Sequence, residues 1–152
     1  MSIRAASERD HDIVREIAHT TINEIYPRYY PSGAVGFFLR HHSDESIAAD
    51  IADSIVFLCC DAEMIPVGTV TIRENEICRL FVLPGEQGRG YGKELIEFAE
   101  NKIAEDYDEI VIDASLSAKA IYLKRGYKEK EYHTLKTPEN DFLCYDVMTK
   151  RI

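Results

Sequence analysis

Residues 79–92 read Arg79-Leu-Phe-Val-Leu-Pro-Gly-Glu-Gln-Gly-Arg-Gly-Tyr-Gly92, an apolar run that passes through a proline into four glycines within eight residues. The chain has eight glycines in 152 residues, so an even spread would place about 0.4 of them in such a window. Directly behind them Tyr91, Leu95, Ala99 and Ile103 recur every four residues, with Ile96 and Phe98 beside them, which predicts a helix from about Gly90 to Glu105. A strand, a glycine loop and a helix start make a place for an anion. Glycines let a ligand approach the backbone, and the first N–H groups of a helix point outward with the helix dipole behind them. The alternative is a flexible turn. Spacing excludes the two commonest cradles. A Walker loop would need Gly where Gln87 stands and Ser or Thr where Glu94 stands, and the dinucleotide pattern G-x-G-x-x-G would need Gly at Lys93 or Leu95.

Working outward, Ile55–Cys60, Val67–Ile72 and Ile77–Val82 are β-branched or apolar runs divided by short polar turns, and they predict a three-strand antiparallel meander. Before it, Ile3–Ala6 reads as a first strand. Ser7 with Asp10 resembles a capping box opening a helix whose face is Ile13, Ile17 and Ile22 with Val14 and Ala18. Pro27 and Pro31 end that helix and frame a loop, Ala34–Arg40 is a short helix, and Ser43 caps another to about Ala52. After the glycine helix, Glu109–Asp113 is a buried strand, Ala118–Arg125 a two-turn helix ended by Gly126, and Tyr127–Thr137 with Phe142–Lys150 a hairpin about a Pro138-Glu-Asn-Asp turn.

What remains at the glycines is Gln87-Gly88-Arg89-Gly90-Tyr91-Gly92, of the form Q-x-x-G-x-G after a strand ending Phe-Val-x-Pro. It resembles the pyrophosphate-binding motif of the GNAT acetyltransferase superfamily. A second segment, residues 114–127 (Ala114 to Tyr127), is similar to the family's N-x-x-A-x-x-F-Y-x-x-x-G-F at Ala118, Tyr122, Gly126 and Tyr127. It departs at Ser115, where the family often has Asn, and at Ile121 in place of Phe. The element order also matches, so the resemblance spans essentially the whole chain. It implies an α+β fold, an α/β/α sandwich with a mixed, mostly antiparallel sheet whose two parallel central strands splay apart. It implies acetyl-CoA as cosubstrate and acyl transfer to a primary amine, of a small molecule or a peptide, by direct attack in a ternary complex. A non-catalytic acyl-CoA sensor is the rival reading.

Residue by residue, the resemblance puts the pyrophosphate on the N–H groups of Gln87, Gly88, Arg89, Gly90, Tyr91, Gly92 and Lys93, with Arg89 and Lys93 adding charge. Backbone groups of Phe81 and Val82 would hold the pantetheine and polarise the thioester, and Ser115 and Ala118 would complete the cofactor side. Tyr122 is the candidate general acid, since a phenol near pKa 10 can protonate a leaving thiolate near 8.5; a core aromatic is the alternative. Glu76 is the first candidate base, because alternation sets Glu76, Cys78, Leu80 and Val82 on one side of their strand. His133 is the runner-up, with an ordinary pKa suited to the task. Tyr26, Tyr29 and Tyr30 stand in the region that walls the acceptor site in the family, where aromatic faces could grip an amine or simply cover the core edge.

Composition narrows the partners. With 45% apolar and 30% charged residues the chain fits one globular domain, 1–152. Eighteen Lys and Arg against 27 Asp and Glu leave a net charge of −9, which argues against nucleic acid and mildly favours a cationic acceptor. No run approaches the roughly 18 apolar residues of a membrane span, and the polar start lacks a signal-peptide core, so a cytoplasmic protein with no membrane partner is expected. Monomer and homodimer both stay open. Cys59, Cys60, Cys78 and Cys144 lie in apolar text without metal spacing and read as reduced thiols. The adjacent His41 and His42 diverge by about 100 degrees on a helix with no third ligand spaced to join them, so no metal is expected.

Overall fold

In the structure, a computed structural model describing residues 1–152, the β-branched runs form β1 (Ser2–Ala5), β2 (Val56–Cys60), β3 (Pro66–Arg73), β4 (Glu76–Val82), β5 (Glu109–Ala114), β6 (Lys128–Lys136) and β7 (Phe142–Arg151). The period-four segments form α1 (His11–Ile25), α2 (Ser32–His41), α3 (Asp44–Ala52), α4 (Tyr91–Ala104) and α5 (Lys119–Lys124). The strands make one sheet in the order β1-β2-β3-β4-β5-β7-β6. Every neighbouring pair is antiparallel except β4 with β5, which is parallel. No helix is long and apolar enough to cross a membrane.

Each face of the sheet buries its own core. On one face α4 lays Leu95, Ile96, Ala99 and Ile103 against Val70, Ile72, Ile77, Val82, Ile110 and Ile112. On the other, Val14, Ile17 and Ile22 of α1, Ala34 and Val35 of α2 and Ile47 of α3 meet Val56, Leu58, Phe81 and Leu143. A side chain such as Ile17 or Leu95, fully buried here, is worth about 1.5–3 kcal/mol of transfer free energy, so both layers are held by burial rather than by staples. All four cysteines are free.

Two departures from the regular pattern matter. Register runs from Thr71↔Arg79 to Ile72↔Ile77, leaving Cys78 as an extra residue in β4. That bulge reverses the alternation. Ile77, Leu80 and Val82 pack on the α4 core while Arg79 bonds to groups of α2 and α3 and Phe81 joins the α1 core. The expected stripe of Glu76, Cys78, Leu80 and Val82 on one side therefore does not exist, because period-two reading holds only within an unbroken ladder. The second departure is larger. β4 and β5 pair only at Glu76↔Val111 and Ile77↔Ile112, and beyond these two positions they part.

Element ends shift by small amounts. The first helix begins with a 3-10 turn over Glu8–Asp10, where the Asp10 carboxylate accepts from the Ser7 N–H at 2.8 Å, and the proline loop holds a second such turn over Tyr26–Arg28. One contact ties the final hairpin to the helical layer. Asp141, in the β6–β7 turn, accepts from the Gly33 N–H at 2.8 Å and from the Thr137 hydroxyl at 2.6 Å, so a distant carboxylate caps α2. A Cβ at Gly33 would lie 2.3 Å from that carboxylate, which leaves no room for any other residue there. Replacing the cap, Asp141→Ala, should cost about 1 kcal/mol, or roughly 2–4 °C in Tm, with Asp141→Asn losing less. Thermal unfolding followed by circular dichroism checks this, and an unchanged Tm would show that the contact does not hold α2.

Candidate active site

The parting of β4 and β5 opens two cavities that meet inside the sheet. The first, about 600 Å³, runs from the gap toward the glycine loop and α5, past Val82, Gly88, Gly90, Gly92, Lys93 and Ile121. The second, about 370 Å³, lies toward α2, α3 and β7, past Phe37, His41, His42, Glu76, Asp113 and Tyr145. Tyr26, Leu80, Phe81, Ser115, Ala118 and Tyr122 line both. These six mark the junction.

The glycine loop has the geometry of an anion cradle. Gly88 and Gly90 hold φ of +80° and +95°, a left-handed backbone that side chains disfavour, and nothing lies within 4 Å of where a Cβ would stand. From Gly88 to Lys93 no N–H donates to any group of the protein, since the first bond of α4 is Glu94 N–H to Gly90. Six consecutive donors thus face outward at the positive end of a helix. The Gln87 N–H is different, for it leans on the Pro84 carbonyl at 3.4 Å, while its side-chain amide donates to the Val82 carbonyl at 3.0 Å and pins the loop to β4. Arg89 pairs with Glu86 at 3.1 Å and does not line the cavity, and Tyr91 packs its ring on the α4 core. The cations that do line it are Lys93, Lys124 and Arg125. The last two escape a motif reading because only the packing of α5 beside the loop brings them there, and Arg125 is already engaged by Glu100 at 2.8 Å.

At the gap the backbone differs from expectation by one residue. Leu83 N–H donates to Val67, and with Phe81 paired opposite Thr69 the alternation of an antiparallel ladder turns Phe81 toward β3. Leu80 and Val82 therefore present their backbone groups to the gap, and the Val82 carbonyl already accepts from Thr21 and Gln87. Phe81 contributes its ring rather than its amide.

Tyr122, 4% exposed, packs edge-on to Tyr127 at 5.4 Å. Its hydroxyl has no partner in the protein, yet no buried side-chain oxygen or nitrogen is left unsatisfied, so the hydroxyl opens on the cavity junction. Burial pushes its pKa well above the ordinary phenol value, with neighbouring Tyr26 adding to the rise. It is a proton donor and not a phenolate. Tyr26 is likewise buried and raised, with the Ser115 hydroxyl opposing the rise.

The other two tyrosines of the loop lie elsewhere. Tyr30 lines neither cavity; its hydroxyl donates to the Cys144 carbonyl at 2.9 Å and accepts from the Leu116 N–H at 2.8 Å, clamping the segment after β5 to β7. Tyr29 is half exposed and lines neither cavity. His133 bonds to Glu131 at 2.9 Å and stacks on Tyr145 at 5.1 Å, one layer outside the second cavity. Glu76 does line it, and Asp113 stands near it on the neighbouring strand. Neither carboxylate has a hydrogen-bond or ion-pair partner. Burial raises Glu76, Asp113 raises it further and Arg73 opposes; burial also raises Asp113, against His133 and His41. The Cys78 thiol beside them is pushed up to about 11, by burial first and then Glu76, and is protonated at neutral pH. No group of three or more His, Cys, Asp or Glu comes together to hold a metal.

Comparison with known proteins places this sheet, parted at its parallel pair above a glycine cradle. The acetyltransferase (GNAT) domain family matches residues 25–138, and the chain belongs to it. A GCN5-related N-acetyltransferase from Rhodopseudomonas palustris superposes with a TM-score of 0.89 at 23% identity, over 99% of this chain and 95% of its own. The PaiA N-acetyltransferase of Thermoplasma acidophilum, solved in complex with coenzyme A, gives 0.77 at 22%, over 99% and 98%. YncA of Salmonella typhimurium, solved with its cofactor acetyl-CoA, gives 0.74 at 15%, over 99% and 93%. A sequence search of curated proteins finds no match.

The raised carboxylates carry a stability cost with a defined sign. A carboxyl whose folded pKa lies above its unfolded value binds more protons folded than unfolded, so it destabilises the fold above the unfolded pKa and is neutral in effect below it. Glu76→Gln and Asp113→Asn should therefore each raise Tm at pH 7.5, with the gain vanishing below about pH 4. Scanning calorimetry at the two pH values decides it; a gain independent of pH would mean that the amides act by packing.

Proposed function

We propose that the protein is an acetyl-CoA-dependent N-acetyltransferase acting on a primary amine by direct attack in a ternary complex. The observation that carries this is the meeting of the two cavities at Tyr122, one ending in a ring of unpaired N–H donors and the other holding unpaired carboxylates among aromatic rings. Acetyl-CoA supplies the activated acetyl group. The first cavity fits it, since the outward donors of Gly88 to Lys93 suit a pyrophosphate, and Lys93 and Lys124 add charge. The likeness to relatives solved with coenzyme A and acetyl-CoA supports the same assignment.

In this reading the backbone of Leu80 and Val82 flanks the pantetheine end, and the Tyr122 hydroxyl delivers a proton where the thiolate departs. Glu76 takes the proton of the acceptor's ammonium, directly or through water, and its raised pKa makes it a stronger base than an exposed carboxylate. An aliphatic amine with a pKa near 10.4 is free in only about one molecule in 2,500 at pH 7, a deficit of roughly 4.6 kcal/mol that base and site must offset. The protonated Cys78 fits direct attack rather than an acyl-enzyme.

The reading is tested by CoA release from acetyl-CoA in the presence of a panel of primary amines. Tyr122→Phe, which keeps the ring and removes the proton donor, should lower kcat by roughly 10²-fold while the Kd for acetyl-CoA stays within about twofold. Equal losses in both would make Tyr122 a packing residue. Gly90→Val forces a β-branched side chain into φ of +95° and into the open floor of the cradle. It should cost about 1–2 kcal/mol of stability and abolish the rise in Tm that acetyl-CoA gives the parent. A folded Gly90→Val protein with a normal acetyl-CoA shift would place the cradle elsewhere.

A further inference from the structure

Among the polar groups of the second cavity, His42 is used by neither the family motifs nor the proposed chemistry. His42, at the end of α2, is 6% exposed and lies with its ring edge-on to Phe81 at 5.3 Å, beside the junction of the two cavities. Beneath it runs Arg79, 4% exposed, whose Nε–H donates to His42 Nδ1 at 3.1 Å. The rest of that guanidinium is spent on Thr71 at 2.8 Å, Asp50 at 3.1 Å and Ser46 at 3.4 Å. Because Nδ1 accepts a bond from a permanent cation, the ring proton must sit on Nε2. His42 Nε2 has no partner in the protein, and no buried side-chain nitrogen is left unsatisfied, so this N–H opens on the cavity.

The tautomer also decides what His42 cannot do. Burial, with the Arg79 charge next, lowers its pKa to about 2, so the ring stays neutral at any working pH. With Nδ1 occupied and Nε2 protonated it has no lone pair to offer a substrate proton. It is a donor and not a base. What it faces must therefore bring an acceptor atom. Arg79 pairs with Asp50, and Arg73 pairs with both Asp50 and Asp53, so these charges balance; what favours an anion at His42 is the Arg79 Nε–H on its Nδ1, which polarises the ring and strengthens the Nε2–H as a donor. Glu76 and Asp113, unpaired and lining the same cavity, favour an ammonium.

We infer that the acceptor is an amine that also bears a carboxylate, and that His42 Nε2–H binds that carboxylate as a specificity-determining contact. This rests on the proposed transferase reading and names its substrate class: a short amino-carboxylate rather than a plain alkylamine or a diamine. Net charge alone would suggest a cationic acceptor, but the cavity offers the neutral Nε2–H donor of His42 as well as the carboxylates of Glu76 and Asp113.

The test uses the full chain loaded with CoA, so that binding is read without turnover. Glycine, β-alanine, 4-aminobutyrate and 6-aminohexanoate are compared with n-alkylamines and diamines of matched length, by thermal shift and titration calorimetry. At least one amino-carboxylate should bind about tenfold or more tightly than its matched amine and diamine, as expected for a hydrogen bond to a charged group. His42→Asn, whose carbonyl can take the Arg79 Nε–H but whose amide does not reach the Nε2 position, should erase that preference. His42→Gln, which sets an N–H at that position, should restore part of it. Both effects should fall on KM with kcat little changed, and the preference should persist in Tyr122→Phe. Equal binding of the three ligand classes would overturn the inference, as would an undiminished preference in folded His42→Asn. Absence of acetyl transfer to every amine, with the binding preference intact, would overturn the proposed reaction and leave the contact between His42 and a ligand carboxylate standing.

Discussion

Two residues of pairing, Glu76↔Val111 and Ile77↔Ile112, are all that join β4 to β5, and the rest of the molecule is arranged around what happens after them. Backbone groups leaving a ladder must find partners or face a ligand. Here the protein closes part of the account itself, with Thr21 and the Gln87 amide on the Val82 carbonyl, and leaves the remainder turned into the gap. A strand pair that stayed zipped would seal the sheet, and the two cavities would never meet. The gap in turn needs stiff margins. On one side β4 is bonded along its length to β3; on the other, β5 is bonded to β7, and Tyr30 fixes the segment that follows.

The division of labour between the two cavities follows from the kind of structure that builds each. The glycine side is made of backbone, and its donors are set by a helix start and two left-handed glycines, so it asks the sequence for glycine at those positions rather than for a particular functional side chain. The second cavity is made of side chains from α2, β4, β5 and β7, with charges that are raised, lowered or locked by burial. Recognition common to a family belongs on the first kind of surface, and selectivity peculiar to one chain on the second.

This division also explains what could be read from the amino-acid sequence. The cradle was legible because it is local: Q-x-x-G-x-G between an apolar run and a period-four helix states its own geometry. The meander and the final hairpin were legible for the same reason, whereas Tyr122 was singled out by resemblance to a family motif. The bulge at Cys78 was not legible, since nothing in Glu76-Ile-Cys-Arg-Leu says which residue will be skipped, and the skip reverses the faces on which the expected Glu76 stripe depended. Arg79 stands inside an apolar strand, and only α3, arriving with Asp50 and Ser46, makes its burial tolerable. Asp113, Lys124 and His42 are ordinary residues until the packing of separate segments sets them at a cavity wall. Tyr30 shows the converse: an aromatic loop suited to gripping an amine spends its hydroxyl on two backbone groups instead.

The outermost strand has a consequence for how the molecule behaves among copies of itself. All but one of the nine residues of β6 are exposed, and its far side carries no partner strand, so it is an open template for pairing with another chain. Two features blunt it. Lys128, Glu129, Lys130, Glu131 and Lys136 line the edge with charge, and the register slips between Glu129 and Glu131, so a flat incoming strand would have to desolvate those charges and follow a kink. The opposite edge, β1, is only four residues long. The sheet thus ends on one side in a strand too short to recruit a neighbour and on the other in one too charged and irregular to accept it, which guards both edges against fibrillar association at high concentration.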